Sequence, residues 1–316
     1  MRVVVTGGAG FIGSSLCHLL SSSGHEVVAF DNLMYDHGTL VSPVFTSRQY
    51  WSRPTLHVED VTQWSDTLKR ELDRADVVVG LSALVGAGLC DKHPEEAIAV
   101  NSLWFRELLN HINKQLIVFP NSNSGYGSYP GVCTEDTPTN PLSLYAKTKQ
   151  DAEEVLLKFH DNTVAFRLAT VYGSSFRTRT DLLVNNLVKT AVQERHIDVF
   201  DGHFNRNYVH ISDVCNGIKF AINNCDKMRG KVYNLGNDAV NMTKLDLVKR
   251  VCEKTGASYS INNSRTDGDL RNYRVSSSRL QQAGFEASYG LDHGIEEMMS
   301  FYKMFSQCDD ARCRNY

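Results

Sequence analysis

Short, nearly continuous apolar runs alternate with stretches of helical period along the first half of the chain. The runs cover residues 2–6, 26–30, 75–81 (with three consecutive valines), 116–120 and 164–169. They are apolar almost throughout instead of at every second position, the pattern of strands buried on both faces of a sheet. Between them, residues 12–22, 95–113 and 145–160 read as helices. Strand and helix in strict alternation predict an α/β chain with a doubly wound parallel sheet. After Gly173 the rhythm changes. Residues 174–180 are polar and basic, a helix is predicted over 181–193, and a strand end and helix over 208–223. One more buried strand follows at 231–235, then helices at 244–255 and 293–304 and a loose tail from 307 to 316.

Composition narrows the class without changing this picture. The chain has 316 residues, 42% hydrophobic and 22% charged, enough to bury a sizeable core. A net charge of −3 gives no electrostatic reason to expect nucleic acid or an anionic membrane as partner. The eight cysteines are scattered with no Cys-x-x-Cys pair, which fits free thiols in a reducing, cytoplasmic setting and suggests no metal site. Only Cys308 and Cys313 stay open as a pair. The apolar start is broken by Gly7, Gly8, Gly10 and Gly13, so it reads as strand, turn and helix, not as a signal peptide. No apolar run reaches the roughly 18 residues of a membrane span.

Thr6-Gly7-Gly8-Ala9-Gly10-Phe11-Ile12-Gly13 follows the first strand and opens the first helix. Glycine at 7 permits a tight turn, glycine at 10 lets the backbone approach a pyrophosphate, and glycine at 13 allows close packing of helix on sheet. With Phe11 and Ile12, this places phosphates on N–H groups at a positive helix end. Asp31, ending the second strand beside Asn32, would accept hydrogen bonds from adenosine ribose hydroxyls and repel a 2′-phosphate, which favours NAD. A turn role is the other reading of Asp31. Asp60 and Val61 would flank the adenine, and Leu81, Ser82 and Ala83 the nicotinamide side.

Tyr145-x-x-x-Lys149 puts a phenol and an ammonium one turn apart on a helix. The lysine charge is expected to lower the tyrosine pKa so that the phenolate takes a proton from a sugar hydroxyl. Both residues would also contact the cofactor.

With these motifs the chain resembles the extended short-chain dehydrogenase/reductase family, in its NAD-dependent epimerase/dehydratase branch. The markers continue in family order through Asn101, Tyr126-Gly127, Arg167 to Gly173, Arg206 to Asp213 and Tyr233 to Gly236. The resemblance implies a Rossmann-type domain of residues 1–173 plus 208–240, and a smaller discontinuous α/β domain of 174–207 plus 241–316 binding a nucleotide-sugar. It makes Ser122 the third catalytic group, with Ser124 its rival on sequence grounds. The family's 4,6-dehydratases carry Asp-Glu next, where this chain has Asn123 and Ser124, so dehydration is not expected.

A closer resemblance is to bacterial enzymes that oxidise C4 of a GDP-linked heptose for polysaccharide biosynthesis. It rests on residues 84–87, 120–127, 168–173, 179–186 and 203–210. The family resemblance implies that Arg206 and Arg271 hold the nucleotide diphosphate, Asn185 a phosphate or sugar oxygen, and Thr170 the sugar. Asn123 and Arg179 join this substrate set, although Arg177 and Arg179 read equally as a solvated basic loop. His203 and His210 are the most suggestive histidines, with packing or surface roles preferred. A C4 epimerase uses the same groups and is the alternative. A silent NAD-binding sensor is disfavoured by the intact Ser122, Tyr145 and Lys149. A homodimer through helices 95–113 and 145–160 is expected.

Overall fold

Val3, Val4 and Val5 are fully buried, and the two faces of the strand they form open onto two different cores. The computed structural model describes residues 1–35, 40, 53–262, 271–304 and 313–315. Strands β1 (Arg2–Thr6), β2 (Glu26–Asp31), β3 (Thr55–Val58), β4 (Val77–Gly80), β5 (Leu116–Ser122), β6 (Ser128–Cys133) and β7 (Thr163–Leu168) come first. Then follow β8 (Thr170–Tyr172), β9 (His196–Val199), β10 (Asn205–His210), β11 (Lys231–Leu235), β12 (Asn237–Thr243), β13 (Ser258–Ile261) and β14 (Asn272–Val275). Seven of them form one sheet in the order β3-β2-β1-β4-β5-β7-β11. Every pairing in it is parallel. The order reverses between β1 and β4, the switch point where open α/β sheets bind ligands beyond their strand ends.

Leu16 and Leu20 of helix Phe11–Ser22 and Val214 and Ile218 of helix Ile211–Asn223 pack with Val3 and Val5 on one face. On the other face Leu68, Phe105, Ala152 and Leu156 pack with Val4 and Val78. Helix Leu144–Phe159 starts at Ser143, whose hydroxyl accepts a hydrogen bond from the Ala146 N–H, an ordinary N-cap.

The single helix expected at 95–113 is broken into Pro94–Ile98, a wider π-type turn Ala99–Leu103, and Trp104–Leu108. The wide turn carries Asn101, fully buried and hydrogen-bonded outside its own helix. That is the setting in which such turns occur.

Beyond Gly173 a second core forms among Tyr172, Val184, Leu187, Leu247, Val251, Ile295 and Tyr302. Helices Leu183–Gln193, Lys244–Thr255 and Leu291–Met304 enclose it with the small sheet β12-β10-β8. The parallel pairs β9–β13 and β6–β14 complete the fold.

The expected loose tail needs correcting where it is described. Cys313 and Asn315 are buried, and the Cys313 carbonyl accepts from the Thr180 N–H at 2.8 Å. A backbone carbonyl offered to a buried N–H is enough to dock a polar segment. Cys308 lies outside the described residues. Among the described residues, no helix is long and apolar enough to cross a membrane.

Candidate active site

The glycine turn is held by sterics. Gly7 sits at φ +70°, and a Cβ there would lie 2.7 Å from the Leu81 carbonyl carbon. At Gly13 a Cβ would meet the Gly7 carbonyl oxygen at 2.1 Å, so this glycine protects the turn itself more than the packing of helix on sheet. Helix Phe11–Ser22 begins at Gly10 without a side-chain cap, which leaves its first N–H groups for a ligand.

Asp31 accepts hydrogen bonds from the Ala9 N–H at 3.0 Å and the Leu33 N–H at 2.9 Å. Burial nevertheless outweighs these bonds and raises its pKa above the ordinary value. Both oxygens keep lone pairs for a further donor. A bare helix start, a glycine cradle and a half-buried carboxylate together fit the diphosphate and ribose of a dinucleotide.

One cavity of about 2030 Å³ runs from this turn past the ends of β4 and β5 into the second core region. That is roughly twice the upper end for a drug-sized ligand, about 1,000 Å³, so it accommodates two nucleotide-sized molecules side by side. Gly7, Gly10, Phe11, Ile12, Gly13, Asp31, Asn32, Asp60, Val61, Leu81, Ser82 and Ala83 line one part of it. Ser122, Tyr145 and Lys149 line the middle, and Thr170, Arg179, Arg206 and Arg271 the rest.

Two expected contacts are not made. Asn123 is buried behind the wall and Ser124 lines the cavity in its place. Asn185 is fully buried and saturated by backbone: its Oδ1 accepts from the Gly173 N–H at 3.1 Å. Its Nδ2 donates to the Gly173 and Arg179 carbonyls, both at 2.9 Å. A primary amide matches the donor–acceptor pair of a peptide, so this side chain ties a loop instead of facing a ligand; Asn186 lines the cavity.

Where β5 meets helix Leu144–Phe159, Ser122 lies close enough to Tyr145 for its hydroxyl to act on the phenol. Burial pushes the Tyr145 pKa up to about 12, against the pull of Arg271, Arg179 and Ser122. The net shift therefore runs upward, opposite to the expected lowering. Its Nζ rests over the Phe119 ring, 4.1 Å from the centroid. Burial lowers the lysine itself to about 7, partly offset by Glu153. An ammonium half-discharged at neutral pH is a weak source of field.

Glu153, one turn further along, accepts from Arg167 at 2.6 Å and from Asn121 Nδ2 at 2.7 Å. Arg167 in turn reaches the Tyr126 hydroxyl at 3.1 Å. Asn101 takes the Leu84 N–H at 2.9 Å, donates to its carbonyl at 3.0 Å and reaches Thr148 Oγ1 at 3.3 Å. The loop after β4 is thereby tied to the helix that carries Tyr145 and Lys149.

The arginines behave differently from a solvated loop. Arg177 and Arg179 are buried, and Arg179 Nε pairs with Asp181 at 3.0 Å. Arg206 Nη1 donates to the Asn205 carbonyl at 2.9 Å and also to that of Arg271. His210 is buried and accepts from the Ser212 N–H at 3.3 Å, whereas His203 is exposed and packs against Phe204. Sequence reasoning did not single out Tyr35, Tyr273 or Asn315, which also line the cavity. Tyr35 follows the Asp31 loop closely enough to have been suspected; nothing in the sequence marks Asn315.

Residues 3–236 match the NAD dependent epimerase/dehydratase family. An uncharacterized UDP-glucose epimerase, YtcB, of Bacillus subtilis (strain 168) is 26% identical over 319 residues, covering 97% of this chain and 99% of that protein. A dTDP-glucose 4,6-dehydratase of Streptomyces niveus is 25% identical over 331 residues, covering 96% and 93%. The crystal structure of UDP-glucuronic acid 4-epimerase from Bacillus cereus, in complex with UDP-glucuronic acid and NAD, is similar with a TM-score of 0.83. It is 27% identical and covers 96% of this chain and 99% of that one. The chain belongs to the NAD dependent epimerase/dehydratase family.

Proposed function

We propose that this family member oxidises the C4 hydroxyl of a nucleotide-linked sugar with NAD, and that a GDP-linked manno-heptose is its substrate. The observation that carries this reading is the convergence of Ser122, Tyr145 and Lys149 on one cavity large enough for cofactor and substrate together. Gly7, Gly10 to Gly13, Asp31, Asn32, Asp60, Val61 and Leu81 to Ala83 would hold NAD. When bound, it supplies a nicotinamide carbon that accepts hydride from the sugar.

The chain's own part is proton handling and orientation. Tyr145 takes the proton of the sugar hydroxyl while Ser122 hydrogen-bonds the same oxygen, steadying the charge that develops there. For a phenol pushed up to about 12 to act near neutrality, positive charge has to gather round it as ligands bind. Arg271 and Arg179 already pull in that direction. Arg206 and Arg271 would take the substrate diphosphate, Thr170 the sugar, and residues 174–207 plus 241–316 most of the nucleotide. Asn123 and Ser124 supply neither a carboxylic acid nor a carboxylate, so elimination of water has no acid–base pair at these positions.

C4 epimerisation is the second reading, favoured by the 4-epimerase among the similar structures. Incubating the protein with NAD and GDP-manno-heptose, with product identified by NMR, separates the two. A keto-sugar with an equivalent of reduced nicotinamide supports oxidation, and a C4 epimer without net reduction supports epimerisation. Turnover confined to UDP-sugars would overturn the GDP assignment. Tyr145→Phe should retain NAD and lose about 10²- to 10⁴-fold in turnover. Exposed Ile98 and Leu103 on the expected pairing helices support a homodimer, which light scattering would refute by finding a monomer.

A further inference from the structure

Arg177 is 3% exposed, lines the cavity, and makes no ion pair among the described residues. Its guanidinium lies over the Tyr35 ring, 4.1 Å from the centroid. Its Nη2 reaches the Arg314 carbonyl only at 3.4 Å, and its Nε has no partner among the described residues. Burial, and then Arg179, lower its pKa, yet a guanidinium keeps its proton in a protein. A buried cation in this state is costly unless an anion completes it.

The loop carrying Arg177 shows where that anion belongs. Ser175 donates to the Phe11 carbonyl at 2.6 Å, and its hydroxyl lies 3.1 Å from that of Ser14 and 3.2 Å from that of Ser15. It also accepts from the Arg177 N–H at 3.3 Å. These bonds fasten residues 174–180 to the first turn of helix Phe11–Ser22, whose open N–H groups already face the cavity. On the other side, Asp31 and Asp181 are near enough for their charges to act on Arg177. Two further lining atoms without partners among the described residues, the Tyr35 hydroxyl and Asn315 Oδ1, complete this corner.

We infer that Arg177 is the second jaw of a clamp on the cofactor diphosphate, opposite the N–H groups at the start of helix Phe11–Ser22. The inference rests on the NAD reading above. The guanidinium gives the charge-assisted hydrogen bonds that a diphosphate takes from a fork of N–H donors. Tyr35 keeps the guanidinium plane in place through its ring. The ribose end stays with Asp31, so the arginine does not turn the site towards a 2′-phosphate.

Titration calorimetry of full-length, cofactor-free protein with NAD, ADP and adenosine tests this, alongside thermal melts of each variant. Arg177→Gln should weaken NAD and ADP by about 10- to 100-fold, the range of a charged hydrogen bond, and adenosine by under about threefold. Arg177→Lys should recover part of the loss and serves as the reading if the glutamine variant fails to fold. Equal losses for ADP and adenosine would overturn the clamp and make Arg177 a support for the adenosine pocket. So would unchanged NAD affinity in a variant that melts like the wild type. Wild-type protein that binds neither NAD nor ADP would sink the cofactor reading itself, and the clamp with it.

Discussion

Replacing Asn185 by alanine separates a residue that holds the site together from one that touches substrate. The side chain makes three hydrogen bonds at 2.9–3.1 Å to the backbone of Gly173 and Arg179, and it is fully buried. Gly173 sits at φ +117°, and a Cβ there would lie 2.6 Å from His210 Nε2, so the turn cannot shift towards its neighbour to find new partners. Asn185→Ala therefore strands one N–H and two carbonyls. Each unsatisfied buried group costs about 1–3 kcal/mol, and water entering the vacated space recovers part of it. We expect a net loss of about 3–5 kcal/mol, within the range of the larger single-site effects.

At about 2 °C per kcal/mol for a chain of this size, the thermal midpoint followed by circular dichroism should fall by about 6–10 °C. Arg177 and Arg179 ride on the same loop, so NAD and substrate affinity should weaken with the fold. A midpoint within about 2 °C of wild type, combined with a KM for nucleotide-sugar raised about tenfold, would refute this reasoning. That result would return Asn185 to the role of a phosphate or sugar contact.

Gly13→Ala would put a methyl group where only 2.1 Å separates it from the Gly7 carbonyl, so the turn has to open. At about 2–3 kcal/mol for such a shift, NAD affinity should drop by roughly 30- to 150-fold, and wild-type affinity by calorimetry would contradict it. Lys149→Met bears on pH. Burial lowers the lysine from 10.5 to about 7, so between those values the unfolded chain binds a proton that the folded chain does not. The handicap is complete below pH 7 and relieved as pH rises towards 10.5. The methionine variant should lose turnover yet gain stability, more at pH 6 than at pH 9; melts showing an equal or larger gain at pH 9 would count against the lowered pKa.

What the sequence revealed was local. The glycine turn, the valine strand β4 and the helices Leu144–Phe159 and Lys244–Thr255 were legible because each is written in neighbouring residues: a cap, a period, a run of β-branched side chains. Strand β6 was not, since five of its six residues are exposed and carry no alternation. It exists through its partner β14, far along the chain. The split of the helix near Asn101 was equally hidden, because its cause is a hydrogen bond to Leu84 seventeen residues away.

The site residues divide along the same line. Ser122, Tyr145, the glycines and Asp31 line the cavity where motif and position put them, since each is marked within one short stretch of chain. The asparagines could not, because an amide serves a ligand or a peptide equally well and only the fold decides. Asn101 and Asn185 both went to backbone, pinning the loops after β4 and β8 before any ligand arrives. Arg167 went to Glu153, on the helix that carries Tyr145 and Lys149. With these polar groups spent on positioning, Arg177 is left as a buried cation on a pinned loop, without an ion pair among the described residues. Asp31 and Asp181 act on it only from a distance, and a closer anion would complete it. That is the physical reason for reading it as part of the binding machinery and not of the scaffold.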